Sequence, residues 1–227
     1  MKRSVIAVAA ALFLASGVAV ATDLVCTAPS SGGTWHNVVV PAGASCQLDN
    51  TRVTGKIDVH AGANLLITTS LGDTTVDGDI KGNGCDSIDL ESTGLTGRIV
   101  VGGHLHIQNC TGTSGFSGAR GSSFSPPVPP QTVLIGGDVK CNNNGDGCVF
   151  DYVIISGHLD CSGNSQGCTL QSDAVGKNAN IDKNVDVGII VNNTAIGGDL
   201  KCDGNSPGAT GSSNTVAGKK LGQCSGL

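Results

Sequence analysis

The stretch GGDVKCNNNGDGC, residues 136–148, gathers residue types that can do chemistry. Asn142, Asn144, Asp146 and Gly147 fall at the spacing of the first ligand positions of a calcium-binding helix–loop–helix. Val153 stands where that loop needs its closing bidentate Glu, and the flanks read as strands, so calcium is not expected. The segment Gly163-Asn164-Ser165-Gln166-Gly167 matches the Gly-x-Ser-x-Gly pattern, and so does Gly204-Asn205-Ser206-Pro207-Gly208. That motif places a serine on a strand–elbow–helix beside a His and an acid. Both copies lack the helix and read as turns. His104 and His106 lie on one strand face with Leu105 and Ile107 pointing inward; they offer two metal ligands with no third in view, so no metal is expected. No CxxC occurs, which removes the commonest zinc and redox spacings. The expectation is no catalytic residue, no metal and no cofactor.

What positions these residues is a repeat. VTGKIDV (53–59), VDGDIKG (76–82), LTGRIVV (95–101), IGGDVKC (135–141), ISGHLDC (155–161), IGGDLKC (196–202) and VAGKKLG (216–222) align on a central glycine, and VGKNANI (175–181) fits with Lys177 in its place. The anchors Gly55, Gly78, Gly97, Gly137, Gly157, Lys177, Gly198 and Gly218 are spaced 23, 19, 40, 20, 20, 21 and 20 residues apart. Two rows flank them. Val53, Val76, Leu95, Ile135, Ile155, Val175, Ile196 and Val216 precede the anchor by two; Ile57, Ile80, Ile99, Val139, Leu159, Ala179, Leu200 and Lys220 follow it by two. Alternation of period two makes each unit a strand with one buried face. One such strand per coil, stacked at a period near 20, predicts an all-β, right-handed parallel β-helix of eight or nine coils, with an axis of roughly 40 Å. An antiparallel sandwich is the weaker alternative, because it needs no strict register between repeats.

The spacing of 40 reads as one coil carrying an extra segment. Residues 112–132, GTSGFSGARGSSFSPPVPPQT, are rich in Gly and Ser and then in Pro, and predict a loop extruded at about 109–133. Trp35 is expected to lid the first coil, and Lys219 and Lys220 to stop stacking at the other end.

Asn144, Asn164, Asn184 and Asn205 each lie seven residues past an anchor, and Asn184 persists in the coil without cysteine. They predict an asparagine ladder, because Asn tolerates a sharp corner and can hydrogen-bond from coil to coil. The exposed positions beside the anchor alternate in sign, as in Lys56–Asp79–Arg98, and read as a self-compensated solvated face rather than a carboxylate cluster of a lyase or hydrolase. Thr68, Thr69, Thr74 and Thr75 are local and do not form the recurring array of an ice-binding solenoid.

All ten cysteines follow residue 21, and an even count predicts disulfides. Cys141, Cys148, Cys161 and Cys168 allow bridges within coils (141–148, 161–168) or between them (141–161, 148–168). The Lys177 coil lacks both members at once, which favours pairing within a coil. Cys202 has Ala209 at its coil partner's position, leaving Cys224 as its mate, and Cys26–Cys46 and Cys85–Cys110 complete the set.

VVVPAGASCQL near the start, the GGDLKC-type units and NTVAGKKLGQC at the end resemble a group of uncharacterised small exported bacterial right-handed parallel β-helix repeat proteins. The resemblance covers nearly the whole chain beyond residue 21. It implies fold and export and brings no activity, so no functional residue is carried over.

The first 21 residues pair Lys2 and Arg3 with an apolar run and an Ala19-Val20-Ala21 cleavage site, the pattern of a secretory signal peptide. The expected organisation is a signal peptide at 1–21, an N-terminal cap and first coil at 22–52, and coils over 53–227. Beyond residue 21 there are 11 basic and 18 acidic residues, a net charge of −7, with Glu91 the single Glu. This acidic balance argues against nucleic acid, and no further apolar run predicts a membrane span. The expected function is an exported structural or surface-binding protein of the periplasm or medium. The alternative is a carbohydrate-binding or carbohydrate-active protein with a groove beside 112–132. Its partner would be a cell-surface or extracellular glycan or protein, although only five aromatic residues follow residue 21.

Overall fold

The computed structural model describes residues 21–92, 97–112, 114–117 and 133–227. The expected signal peptide, apart from Ala21, residues 113 and 118–132 of the expected loop, and Leu95 of the expected apolar row lie outside that set. The chain winds as a parallel β-solenoid of about nine turns whose strands form three sheets of ten, nine and nine strands. Sheet A runs from Leu24–Val25 to Lys220–Gly222, sheet B from Ser30–Ser31 to Ala209–Ser212, and sheet C from Thr34–Trp35 to Thr215–Val216. A coil therefore holds three strands, not one. Val139–Asn142 lies in sheet A, Cys148–Asp151 in sheet B and Val153–Ile155 in sheet C, and Leu159–Ser162 returns to sheet A.

The strands of the central coils alternate. Val139, Cys141, Cys148, Phe150, Val153 and Ile155 are buried while Lys140, Val149 and Ile154 face out. Stacking these inward rows gives one continuous narrow core. A left-handed residue turns each of two corners. Between sheets A and B it is Asn143 (φ 56°), Gly163 (φ 68°) and Lys183 (φ 55°); between B and C it is Tyr152 (φ 59°), Ser172 (φ 59°) and Asn193 (φ 50°). The corner from C to A is tight for another reason. A Cβ on Gly78 would lie 2.6 Å from the Gly55 carbonyl oxygen, and one on Gly137 would lie 2.7 Å from that of Gly103.

That last contact corrects the repeat alignment. Ile99–Val101 pairs with Thr74–Val76 and Val133–Ile135 in sheet C, so LTGRIVV is not a sheet A unit and Ile99 does not belong to the Ile57 row. The sheet A strand of this coil is Leu105–Gln108, between Ile80–Asn83 and Val139–Asn142. Its anchor is Gly103, not Gly97, and the spacings become 25 and 34 instead of 19 and 40. No coil is missing. The strand Ser114–Ser117 pairs in sheet B on both sides, and the extra residues fall between it and Val133. Arg98 correspondingly leaves the outward row and ion-pairs with Asp73 at 3.4 Å. Thr68, Thr69 and Thr74 are buried rather than exposed.

The ends differ from the middle. A full round of strands, from Leu24–Val25 to Thr34–Trp35, precedes Val38–Val40, so residues 22–52 hold more than a cap and one coil. Trp35 pairs with Val53 and packs against the first turn of core. At the other end Lys220 occupies the inward row next to Leu200, and its ammonium donates to the Leu227 carbonyl. A short 3-10 helix, Gln223–Gly226, closes this end. No helix among the described residues is long and apolar enough to cross a membrane.

Candidate functional site

The four asparagines stack in a buried column at the corner between sheets A and B. Each takes the left-handed residue's neighbouring place, so its amide points into the coil and reaches the next one. Asn144 donates its backbone N–H (3.0 Å) and its Nδ2 (2.9 Å) to Oδ1 of Asn164. Asn164 does the same to Asn184 at 3.0 Å each, and Asn184 to Asn205 at 2.9 and 3.1 Å. Both ends are capped. The Cys110 N–H donates to Asn144 (2.9 Å), and Gln223 Oε1 accepts from Asn205 while its Nε2 donates back to the Asn205 carbonyl. Gln223 has no counterpart in the repeat and so gave no periodic signal.

Cys141, Cys148 and Cys161 lie beside this column. Cys26 with Cys46, Cys85 with Cys110, Cys141 with Cys148, Cys161 with Cys168, and Cys202 with Cys224 are paired at disulfide distance, with Cα–Cα separations of 4.5–6.5 Å. Cys141 and Cys161 are also neighbours in sheet A, and Cys148 and Cys168 in sheet B. The within-coil pairs therefore sit directly above one another.

Sheet A carries the polar face. Its first outward row reads Lys56, Asp79, His104, Asp138, His158, Asn178, Asp199 and Lys219, and its second reads Asp58, Lys81, His106, Lys140, Asp160, Asn180, Lys201 and Leu221. The first row is more than a solvated face. Asp79 Oδ1 accepts the His104 backbone N–H (2.9 Å), and His104 Nδ1 accepts that of Asp138 (2.9 Å). Asp138 Oδ1 accepts from His158 (2.8 Å), His158 Nδ1 from Asn178 (3.3 Å), Asn178 from Asp199 (3.0 Å) and Asp199 from Lys219 (2.7 Å). Each side chain thus satisfies a backbone donor of the next coil. Sequence reasoning missed this second ladder because its members share no residue type, only the ability to accept.

The ladder fixes the chemistry of its members. The His104 and His158 backbone N–H groups hold the carboxyls of Asp79 and Asp138 below the usual carboxylate range. A neutral imidazole that accepts at Nδ1 carries its proton on Nε2. The outward nitrogens of His104 and His158 are then donors, not metal ligands. His106 stands between Lys81 and Lys140, and burial first, then Lys140, pushes its pKa down. Its ring centroid lies 5.6 Å from that of His104. Among the described residues no group of three or more His, Cys, Asp or Glu could hold a metal ion. Asn142, from the calcium-like spacing, donates to Asp160 instead (3.1 Å). Ser165 lies in a turn, its N–H donating to the Asn144 carbonyl (3.0 Å).

The surface has shallow depressions. One of about 490 Å³ runs along sheet A over Asp58, His60, Lys81, His106 and Gln108. A second, about 310 Å³, lies further along the same sheet over His158, Asp160, Asn180 and Lys201. None of the described residues of 109–133 lines either one. The chain matches no family model, no curated protein and no solved structure. What it does is therefore argued from this geometry.

One buried group stands apart. Asp173 is 4% exposed and takes an inward position of sheet C, next to Thr194 and two coils from Asn214. It accepts the backbone N–H groups of Val153 (2.7 Å) and Gln171 (2.8 Å). Burial pushes its pKa up to about 7. It faces neither depression, and nothing in the sequence around it predicts burial.

Proposed function

We propose that the chain is an exported, non-catalytic β-solenoid that serves as a structural or surface-binding element and presents sheet A outward. One observation carries this reading. In the run Asp79–His104–Asp138–His158 one oxygen or ring nitrogen of each side chain accepts a backbone N–H of the next coil, so the row joins coil to coil. A row whose oxygens and ring nitrogens hold backbone donors is built for rigidity. Export is supported by the ten paired cysteines, which persist in an oxidising compartment such as the periplasm or the medium. The test is turnover on a broad panel of polysaccharides alongside pull-down with isolated envelope material. Binding without turnover supports the reading; sustained hydrolysis or eliminative cleavage removes it.

A second reading is glycan binding, favoured by the depression over Lys81 and His106. Its place in this reading is sheet A, over Lys81 and His106. It lacks an aromatic platform, so its ligand would be held by charge and hydrogen bonds. Glycan-array binding lost on Lys81→Glu would support it.

A further inference from the structure

Sheet C has an outer face unlike the other two. Its outward row reads Val100, Leu134, Ile154, Ala174 and Ala195 on successive coils. Two residues further along each strand stand Gly102, Gly136, Ser156, Gly176 and Gly197. No charged group lies in these two rows over the five coils, and Ile154 is 43% exposed. An open depression of about 270 Å³, running from Ile154 to Ala217, follows the strip. The glycine row is in part imposed by the fold, since a Cβ on Gly136 would meet the carbonyl of Gly102. The branched apolar row beside it is not imposed, because Arg52 and Thr75 hold the same position nearer the N-terminus.

We propose that this face is a weak homodimer interface. Two facts select a second copy of this chain as the occupant. The first is charge. A chain with net charge −7 beyond residue 21 repels its own copy. Sheet A carries a charge in most coils, whereas this strip of sheet C lets two copies meet without opposing like charges. The second is shape. A two-fold axis parallel to the solenoid axis, midway between the two rows, lays the apolar row of each copy over the glycine row of the other. Leu134 then sits over the second copy's Gly136, Ile154 over its Ser156, Ala174 over its Gly176 and Ala195 over its Gly197. The missing side chains let the sheets approach more closely than the ordinary ~10 Å.

Five coils at about 4.8 Å give a strip of about 24 Å by about 10 Å. That is well below the roughly 800 Å² per partner of a stable interface, which sets the dimer as weak and concentration-dependent.

Sedimentation velocity of the oxidised chain over a wide concentration range tests this. A reversible monomer–dimer equilibrium is expected. Ile154→Lys should weaken it by at least about tenfold, the effect of desolvating a charge at the centre of an interface. Thr169→Lys, on the outer face of sheet B, should leave it unchanged. Both positions point outward, and a far-ultraviolet spectrum and melting curve matching the parent show that each variant folds. A monomer at every concentration overturns the proposal, and so does a dimer indifferent to Ile154→Lys.

Discussion

Oδ1 of Asn164 accepts two hydrogen bonds from Asn144, one from its backbone N–H and one from its Nδ2, while Nδ2 of Asn164 donates on to Asn184. Asn164 also donates to the Cys141 carbonyl at 2.9 Å. Removing this side chain strands buried donors on one side and acceptors on the other. Each such group costs about 1–3 kcal/mol when left unpaired. Asn164→Ala should therefore lower the unfolding free energy by about 3–5 kcal/mol, read by denaturant melting. Asn205→Ala, beside the solvent-facing cap Gln223, should cost less.

Asp173 makes stability depend on pH in a stated direction. Its pKa in the folded chain is about 7, raised by burial. An unfolded Asp titrates near 3.9. The folded state therefore holds the proton more tightly, and stability falls as pH rises from about 4 through about 7. The loss above that window is on the order of 4 kcal/mol. Asp173→Asn should remove this slope; its Nδ2 replaces the oxygen that accepts the Gln171 N–H, an unmade bond that costs about 1–3 kcal/mol, so the gain in stability at pH 8 should be about 1–3 kcal/mol. The amide fits the row, since Asn214 already accepts the Thr194 N–H at 3.0 Å and donates to the Val191 carbonyl at 2.7 Å. Thermal melts of both chains from pH 4 to pH 9 decide it; parallel curves would refute the account.

The Cys161–Cys168 pair closes a short loop whose register neighbours in the next coil are Ile181 and Ile189, both buried. Apolar side chains thus fill the same rows without a cross-link. Replacing both cysteines with Val should keep the packing and cost about 2.5 kcal/mol, the chain entropy of so short a loop. Urea melts of the double variant against the parent measure it.

Lys140 depresses the pKa of its register neighbour His106. Lys140→Gln should raise that pKa, with burial continuing to hold it below the ordinary imidazole value. An NMR titration of the His106 ring protons shows the shift; no change would mean that burial alone sets it.

The inward rows of sheet A were legible because alternation and a period near 20 coincide there. The same property explains where the reading slipped. Ile99–Val101 alternates like a sheet A strand because sheet C obeys the same rule, and Gly97 precedes it as an anchor would. The Gly102–Gly103 doublet, matching Gly136–Gly137 and Gly197–Gly198, was the better signal. The asparagine positions were readable from residue identity alone, whereas the Asp79–His104–Asp138 row was not, because an acceptor ladder can be built from unlike side chains. The outward apolar row of sheet C escaped for a simpler reason. A period-two reading looks for the apolar residues that face inward, and Leu134 and Ile154 sit between them.

The coil bearing the long insert shows what the axis measures. Gly103 and Gly137 are 34 residues apart against 20 between Gly137 and Gly157, yet Leu105 still pairs with Val139 and Ile107 with Cys141. Axial advance is counted in coils and not in residues. The join between Ser117 and Val133 is in that sense a graft point: foreign sequence spliced there would leave the ruler of the scaffold unchanged, so novelty can accumulate at one corner while the rest stays fixed.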